Sequence, residues 1–185
     1  MAFRHRLEDH EGPDMNAGLV VYGLLAGLAI AVVYGAFTDI RTRKITNRLT
    51  LTVATFAPAF WWASGLSFWP GVALQLALAA GMFFFGALMF RLRQMGGGDV
   101  KLLTAIALWL PPTVFGVLML MICIANGLLT AWMITRHRRM RRAGLEAAHL
   151  QIPYGVSVAA CMLVLLAIAY GPAMQETLMS GSTLS

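Results

Sequence analysis

The chain has 185 residues, 59% of them hydrophobic and 12% charged, with a mean hydropathy of +0.72, which excludes a water-soluble domain of this size. The net charge of +6 is spread over short basic clusters between apolar runs, the pattern of cytoplasmic loops rather than of a nucleic-acid surface. Cys123 and Cys161 both sit inside apolar runs, so neither a zinc site nor a disulfide framework is indicated.

In chain order, residues 1–17 read as a polar tail of mixed charge, within which Met15 is an alternative start. The first membrane helix is predicted from Gly18 to Thr38, where Gly23 and Gly27 allow close helix approach. Asp39 follows it, then a basic loop from Arg41 to Arg48 that contains Asn47. The second helix is predicted over Leu49–Gly65, with Trp61, Trp62 and Trp69 gathered at its far end as headgroup anchors. The third runs from Gly71 to Phe90 and is closed by Arg91 and Arg93.

The glycine run Gly96-Gly97-Gly98 comes next, ending in Asp99-Val100-Lys101. The apolar stretch after it is interrupted only by Pro111-Pro112. Read as one span, it would put Arg136, Arg138, Arg139, Arg141 and Arg142 on the opposite side from the other basic loops; broken at the prolines, it puts all of them on one side. A short fourth helix, Val100–Leu110, and a fifth, Thr113–Thr135, are therefore predicted. A basic loop over 136–151 precedes a sixth helix from Ile152-Pro153-Tyr154-Gly155 to Tyr170, and a short polar tail over 172–185 ends the chain. The expected fold is an all-α, multi-pass integral membrane protein with six transmembrane helices in one domain over 18–171 and both termini outside the cytoplasm.

This topology, derived from the basic residues, places Asp39 and Asp99 together at the cytoplasmic boundary. A carboxylate there costs roughly 2.5–3.5 kcal/mol on insertion scales and marks a functional site. Two carboxylates sharing a site split their titrations, so that one serves as acid while the other activates water. That is the equipment for peptide-bond hydrolysis with neither metal nor cofactor. The glycines offer backbone freedom and close approach for an extended substrate. Lys101 is a candidate either to favour an ionised carboxylate or to anchor lipid phosphate. Capping roles for the two aspartates, or pairing with Arg41 and Lys101, are the structural alternative.

Gly96-Gly97-Gly98-Asp99-Val100-Lys101 resembles the G-x-G-D motif, with its following lysine, of the type IV prepilin peptidases, which are intramembrane aspartyl proteases. Asp39, followed by Arg43, Ile45 and Asn47, is similar to the first aspartate segment of that family, although Thr46 stands where the family usually has proline. Ile152-Pro153-Tyr154-Gly155 resembles a further family element. The resemblance implies catalytic roles for Asp39 and Asp99, with Gly96, Gly97, Gly98, Lys101, Asn47, Pro153, Tyr154 and Gly155 in support. It also implies cleavage of pilin precursors at the cytoplasmic face of a bacterial inner membrane. Lacking paired cysteines and a large loop, the chain looks like the small type serving Flp or Tad pilus systems, without methylation. Its expected partners are a prepilin, the lipid bilayer and the pilus assembly machinery, with no nucleic acid. The rival readings are a small transporter or channel, which would place its carboxylates near the bilayer midplane, and a non-enzymatic assembly subunit, in which neither carboxylate would matter.

Overall fold

The computed structural model describes residues 15–42, 46–142 and 154–182, and among these every regular element is helical. The helices are α1 (Met15–Thr42), α2 (Asn47–Ala63), α3 (Ala73–Arg91, preceded by a π turn over Phe68–Val72), α4 (Gly97–Ala107), α5 (Pro112–Arg142) and α6 (Tyr154–Ser182). Each apolar run thus becomes one helix, and the break at Pro111-Pro112 falls where it was expected. Boundaries move outward in several places. The first helix runs past Thr38 and carries Asp39 in its last turns. The fifth continues through the arginine cluster to Arg142, so that the first half of the predicted basic loop, His137 included, is helical. The sixth continues to Ser182, through most of the predicted tail. The tail over 1–14, Arg43 to Ile45, and 143–153 with Glu146, His149, Ile152 and Pro153 lie outside the described residues.

Three stretches, Gly18–Thr42, Phe68–Arg91 and Pro112–Met140, are long and apolar enough to cross a membrane, and Gly155–Gly171 is a shorter apolar helix. The outward faces of the long stretches are apolar. Phe83, Phe84 and Phe85 in α3, and Leu120, Ile124 and Leu128 in α5, are all exposed, as lipid-facing residues are. Gly23 and Gly27 have open space beside them, so they support no helix contact here.

The shortest helix is the most enclosed. Leu102, Leu103, Ala105, Ile106, Ala107 and Leu110 are each at most 2% exposed. At 1.5 Å per residue, the 11 residues of α4 span about 16 Å, half a hydrocarbon core. α4 packs against α2 and α3, while α1 packs against α2 and α6, and α6 against α5. Helix ends away from water need partners for their free carbonyls. At the far end of α4 the Leu108 carbonyl accepts from the Trp61 indole at 2.7 Å and from the Gln75 amide at 3.2 Å. The Trp109 indole donates to the Val53 carbonyl at 2.9 Å, with its ring 5.2 Å from that of Phe60. Trp61 therefore closes a helix end, whereas Trp62 and Trp69 are exposed, as headgroup anchors are.

α2 and α3 end in the same way. After α2, the Gly65 N–H donates to the Trp62 carbonyl and the Leu66 N–H to the Trp61 carbonyl, with Gly65 at φ 63°. After α3, the Arg93 N–H donates to Phe90 and the Gln94 N–H to Met89, with Arg93 at φ 58°. Both are Schellman motifs, whose left-handed position glycine usually fills. The arginine there carries a strain of about 1 kcal/mol that glycine would avoid.

α3 and α4 approach closely where Gly86 faces Val100. A Cβ built on Gly86 would lie 2.7 Å from Val100 Cγ1 and 3.1 Å from Cγ2, and Val100 is stiff about χ1. Gly86→Ala is therefore expected to destabilise the bundle by about 1–3 kcal/mol. Thermal unfolding in detergent checks this, and Val100→Ala in the same chain should restore most of the loss.

Candidate active site

The two aspartates come from the last turns of α1 and the first turn of α4. α2 packs against both helices and carries them to the same end of the bundle. Each carboxylate is half-buried and takes a backbone N–H from a helix start. The Gly155 N–H, in the first turn of α6, donates to Asp39 Oδ2 at 2.9 Å, joining segments 116 residues apart. The helix start also places a positive dipole end beside that carboxylate.

Asp99 is the third residue of α4 and reaches back to accept from the N–H of Gly96, the N-cap residue. The Gly96 carbonyl in turn accepts from the Val100 N–H at 3.2 Å. This is the carboxylate half of a capping box, used here by an aspartate.

Asp99 stands at the end of the bundle, ahead of the apolar run that begins at Val100. Its burial, and then the charge of Asp39, push its carboxyl from 3.8 up to about 6, against the Gly96 N–H, which lowers it. The charge of Asp39 thus reaches the Asp99 carboxyl, which links the two acids electrostatically.

The glycines act here through a missing side chain. Gly96 has an ordinary extended backbone, φ −72° and ψ 143°, and Gly97 and Gly98 are already helical. A Cβ on Gly96 would lie 2.7 Å from Asp99 Oδ2, and one on Gly97 would lie 3.3 Å from the Phe90 ring. The expected backbone freedom is not used in this conformation; what is used is close approach. Gly155 repeats the device, since its Cβ would lie 2.9 Å from Asp39 Oδ2 and 3.0 Å from Asp39 Cβ.

Neither aspartate is paired as the structural alternative had it. The guanidinium of Arg41 lies over the Phe37 ring, 4.7 Å from its centre. Lys101 Nζ donates instead to Asn47 Oδ1 at 2.9 Å, which brings together two residues that sequence reasoning had named separately. Tyr154 opens α6, and Pro153 lies outside the described residues. Beside Gly96 an open cavity of ≈ 650 Å³ is lined by Phe90, Arg91, Arg93, Gln94, Met95 and Gly96. Sequence reasoning missed this cavity and the strained Arg93 at its edge, because nothing in the sequence marks a left-handed arginine. Among the described residues no group of three or more His, Cys, Asp or Glu side chains is placed to hold a metal ion.

The crowding at Gly155 separates two glycines that look alike in sequence. Gly155→Ala must displace Asp39 or the start of α6 and should cost about 1–3 kcal/mol of stability. Gly127→Ala, in α5 with nothing within 4 Å of the new Cβ, should instead gain about 0.5–1 kcal/mol from helix propensity. Thermal unfolding of the two variants in one detergent should give shifts of opposite sign.

Comparison with known proteins adds one finding. Neither the curated proteins nor the solved structures yielded a match. A family model does match, over residues 26–135, which is more than half of the chain and takes in Asp39, Asn47, the glycine run, Asp99 and Lys101, but not Gly155. With two carboxylates gathered at one end of an apolar helical bundle, and with that match, the chain belongs to the type IV leader peptidase family and is a membrane protease.

Proposed function

We propose that the protein is an aspartyl endopeptidase that removes the leader of Flp-type prepilins at the cytoplasmic face of a bacterial inner membrane, with Asp39 and Asp99 as its catalytic pair. The observation that carries this reading is the placement of two acids from distant segments at one bundle end, Asp39 held by the start of α6 and Asp99 in the first turn of α4, with Arg41 on the Phe37 ring and Lys101 on Asn47 instead of on either acid. The six helices are read as six crossings with both termini outside, α4 reaching partway and the segment 108–111 completing its path. Phe37 with Arg41, and Trp132 with Arg136 at 5.3 Å, are aromatic and cationic pairs suited to the headgroup layer on the dyad side. Trp62 and Trp69 serve the opposite layer.

In this reading Asp39, held by the Gly155 N–H and the start of α6, takes a proton from a water molecule. The water oxygen attacks the scissile carbonyl, and Asp99 gives its proton to the carbonyl oxygen. The tetrahedral diol then collapses: Asp39 passes its proton to the leaving amine, Asp99 takes back a proton from a diol hydroxyl, the C–N bond breaks, and the carboxyl product and the free amine separate. The acid is Asp99 because burial favours its protonated form. An extended strand would approach the pair at Gly96, which lines the open cavity and carries no side chain beside Asp99. The pilus assembly machinery is the expected partner that presents the substrate.

Incubating the purified full-length protein with a Flp-type prepilin should yield a shortened pilin. Asp39→Asn and Asp99→Asn should each abolish that product while the protein still accumulates in the membrane; normal cleavage by either variant would sink the dyad. The pH dependence carries a sign. Raising the pH through about 6 ionises Asp99 and removes the acid, so kcat/KM should fall on the alkaline side of a limb near that value. Substrate closing over the pair excludes water, so the alkaline limb of kcat should lie higher still. A kcat/KM profile that keeps rising well above neutrality would remove Asp99 from the acid role.

A further inference from the structure

We propose that Lys101 and Asn47 are a positioning pair that sets the separation of the two aspartates, Lys101 acting through its hydrogen bond to Asn47 and not through its charge on Asp99. The inference rests on the aspartyl reading above and deepens it. Lys101 follows Asp99 by two residues in α4, and residues so spaced point to different sides of a helix. Its Nζ is instead 2.9 Å from Asn47 Oδ1, across 54 residues of chain. Asn47 is the first residue of α2, just beyond the connection that leaves α1 after Asp39.

The packing gives this bond its leverage. α1 packs on α2 and α2 packs on α4, so the distance from Asp39 to Asp99 is transmitted through α2. The far end of α4 is fastened by Trp61, Gln75 and Trp109. Near the dyad, the Lys101–Asn47 bond is the one side-chain hydrogen bond between α2 and α4 among the described residues. The N-cap of α2, Thr46, makes no side-chain capping bond, and the next residue, Asn47, is the one that bonds across to α4. Burial, Asp39 and the Gly96 N–H are what move the Asp99 carboxyl; Lys101 is not among those causes. A point charge would have served at many positions, whereas this amine is directed to one neutral acceptor.

The test uses the full-length protein in detergent with a Flp-type prepilin, comparing Asn47→Ala, Lys101→Met, the double variant and Asn47→Asp. Each of the first two should lower kcat by about tenfold or more with KM nearly unchanged, the size expected for misplaced catalytic groups. The double variant should be no slower than the slower single. Asn47→Asp keeps an acceptor oxygen for Lys101 and should restore most of kcat. The alkaline limb of kcat/KM should stay in place in Lys101→Met, and thermal unfolding should change little, since both side chains are exposed. Independent losses that multiply in the double variant, a limb displaced in Lys101→Met, unchanged kcat, or a loss that follows melting of the protein would each overturn the pairing. Asp39→Asn and Asp99→Asn run alongside. If either still cleaves, the aspartyl reading itself fails; if both are inactive while the Asn47 and Lys101 losses multiply, only the positioning pair fails.

Discussion

A helix too short to cross the membrane has to be closed at both ends by protein, and the bundle is built around that requirement. An unsatisfied N–H or C=O shut away from water costs several kcal/mol, and α4, with 11 residues, is enclosed by its neighbours, so its ends take their partners from the protein. The far end is closed by the Trp61 indole and the Gln75 amide on the Leu108 carbonyl. At the near end the Asp99 carboxylate accepts the Gly96 N–H. One group therefore serves both structure and chemistry: the carboxylate that closes α4 is also the one whose titration burial and Asp39 displace. Enclosure of α4 by its neighbours accounts for its residues being the most buried, while the three long helical stretches turn aromatic and aliphatic side chains outward.

The two carboxylates are held alike but are not equivalent. Asp39 ends one helix and meets the start of another, whose Gly155 N–H donates to it. Asp99 begins a buried helix and has burial as its largest influence. Environments that separate two acids in this way are what acid–base division of labour needs. Glycine is required on both sides for one steric reason. At 96 and at 155 a side chain would occupy the space of a carboxylate oxygen, so the absence of Cβ lets a backbone N–H reach that oxygen.

Strain collects at the same end. The turns after α2 and α3 make equivalent hydrogen bonds, yet one uses glycine at the left-handed position and the other uses Arg93. The strained arginine borders the cavity next to Gly96, while the relaxed glycine lies in the turn on the opposite side of the bundle. Backbone strain of this kind persists where the surroundings over-determine it and tends to lie at functional sites.

Much of this was legible from residue order. Apolar runs of bilayer length, the proline pair and the basic clusters between the runs specify helix number and order, because hydrocarbon admits few other arrangements for such a chain. Asp39 and Asp99 were equally visible, being the acidic residues at the ends of apolar runs. The helix ends were not, since the arginines up to Arg142 continue a helix that hydropathy alone would stop at Thr135. Tertiary structure decided what each polar group touches. Lys101 turns to Asn47 instead of Asp99, Trp61 closes α4 instead of resting among headgroups, and the glycines matter for contact distance rather than for unusual backbone angles. The physical reason is range: hydropathy and charge bias act along the chain and are read from composition, whereas a hydrogen bond such as that from Gly155 to Asp39 depends on tenths of an ångström between segments that only packing brings together.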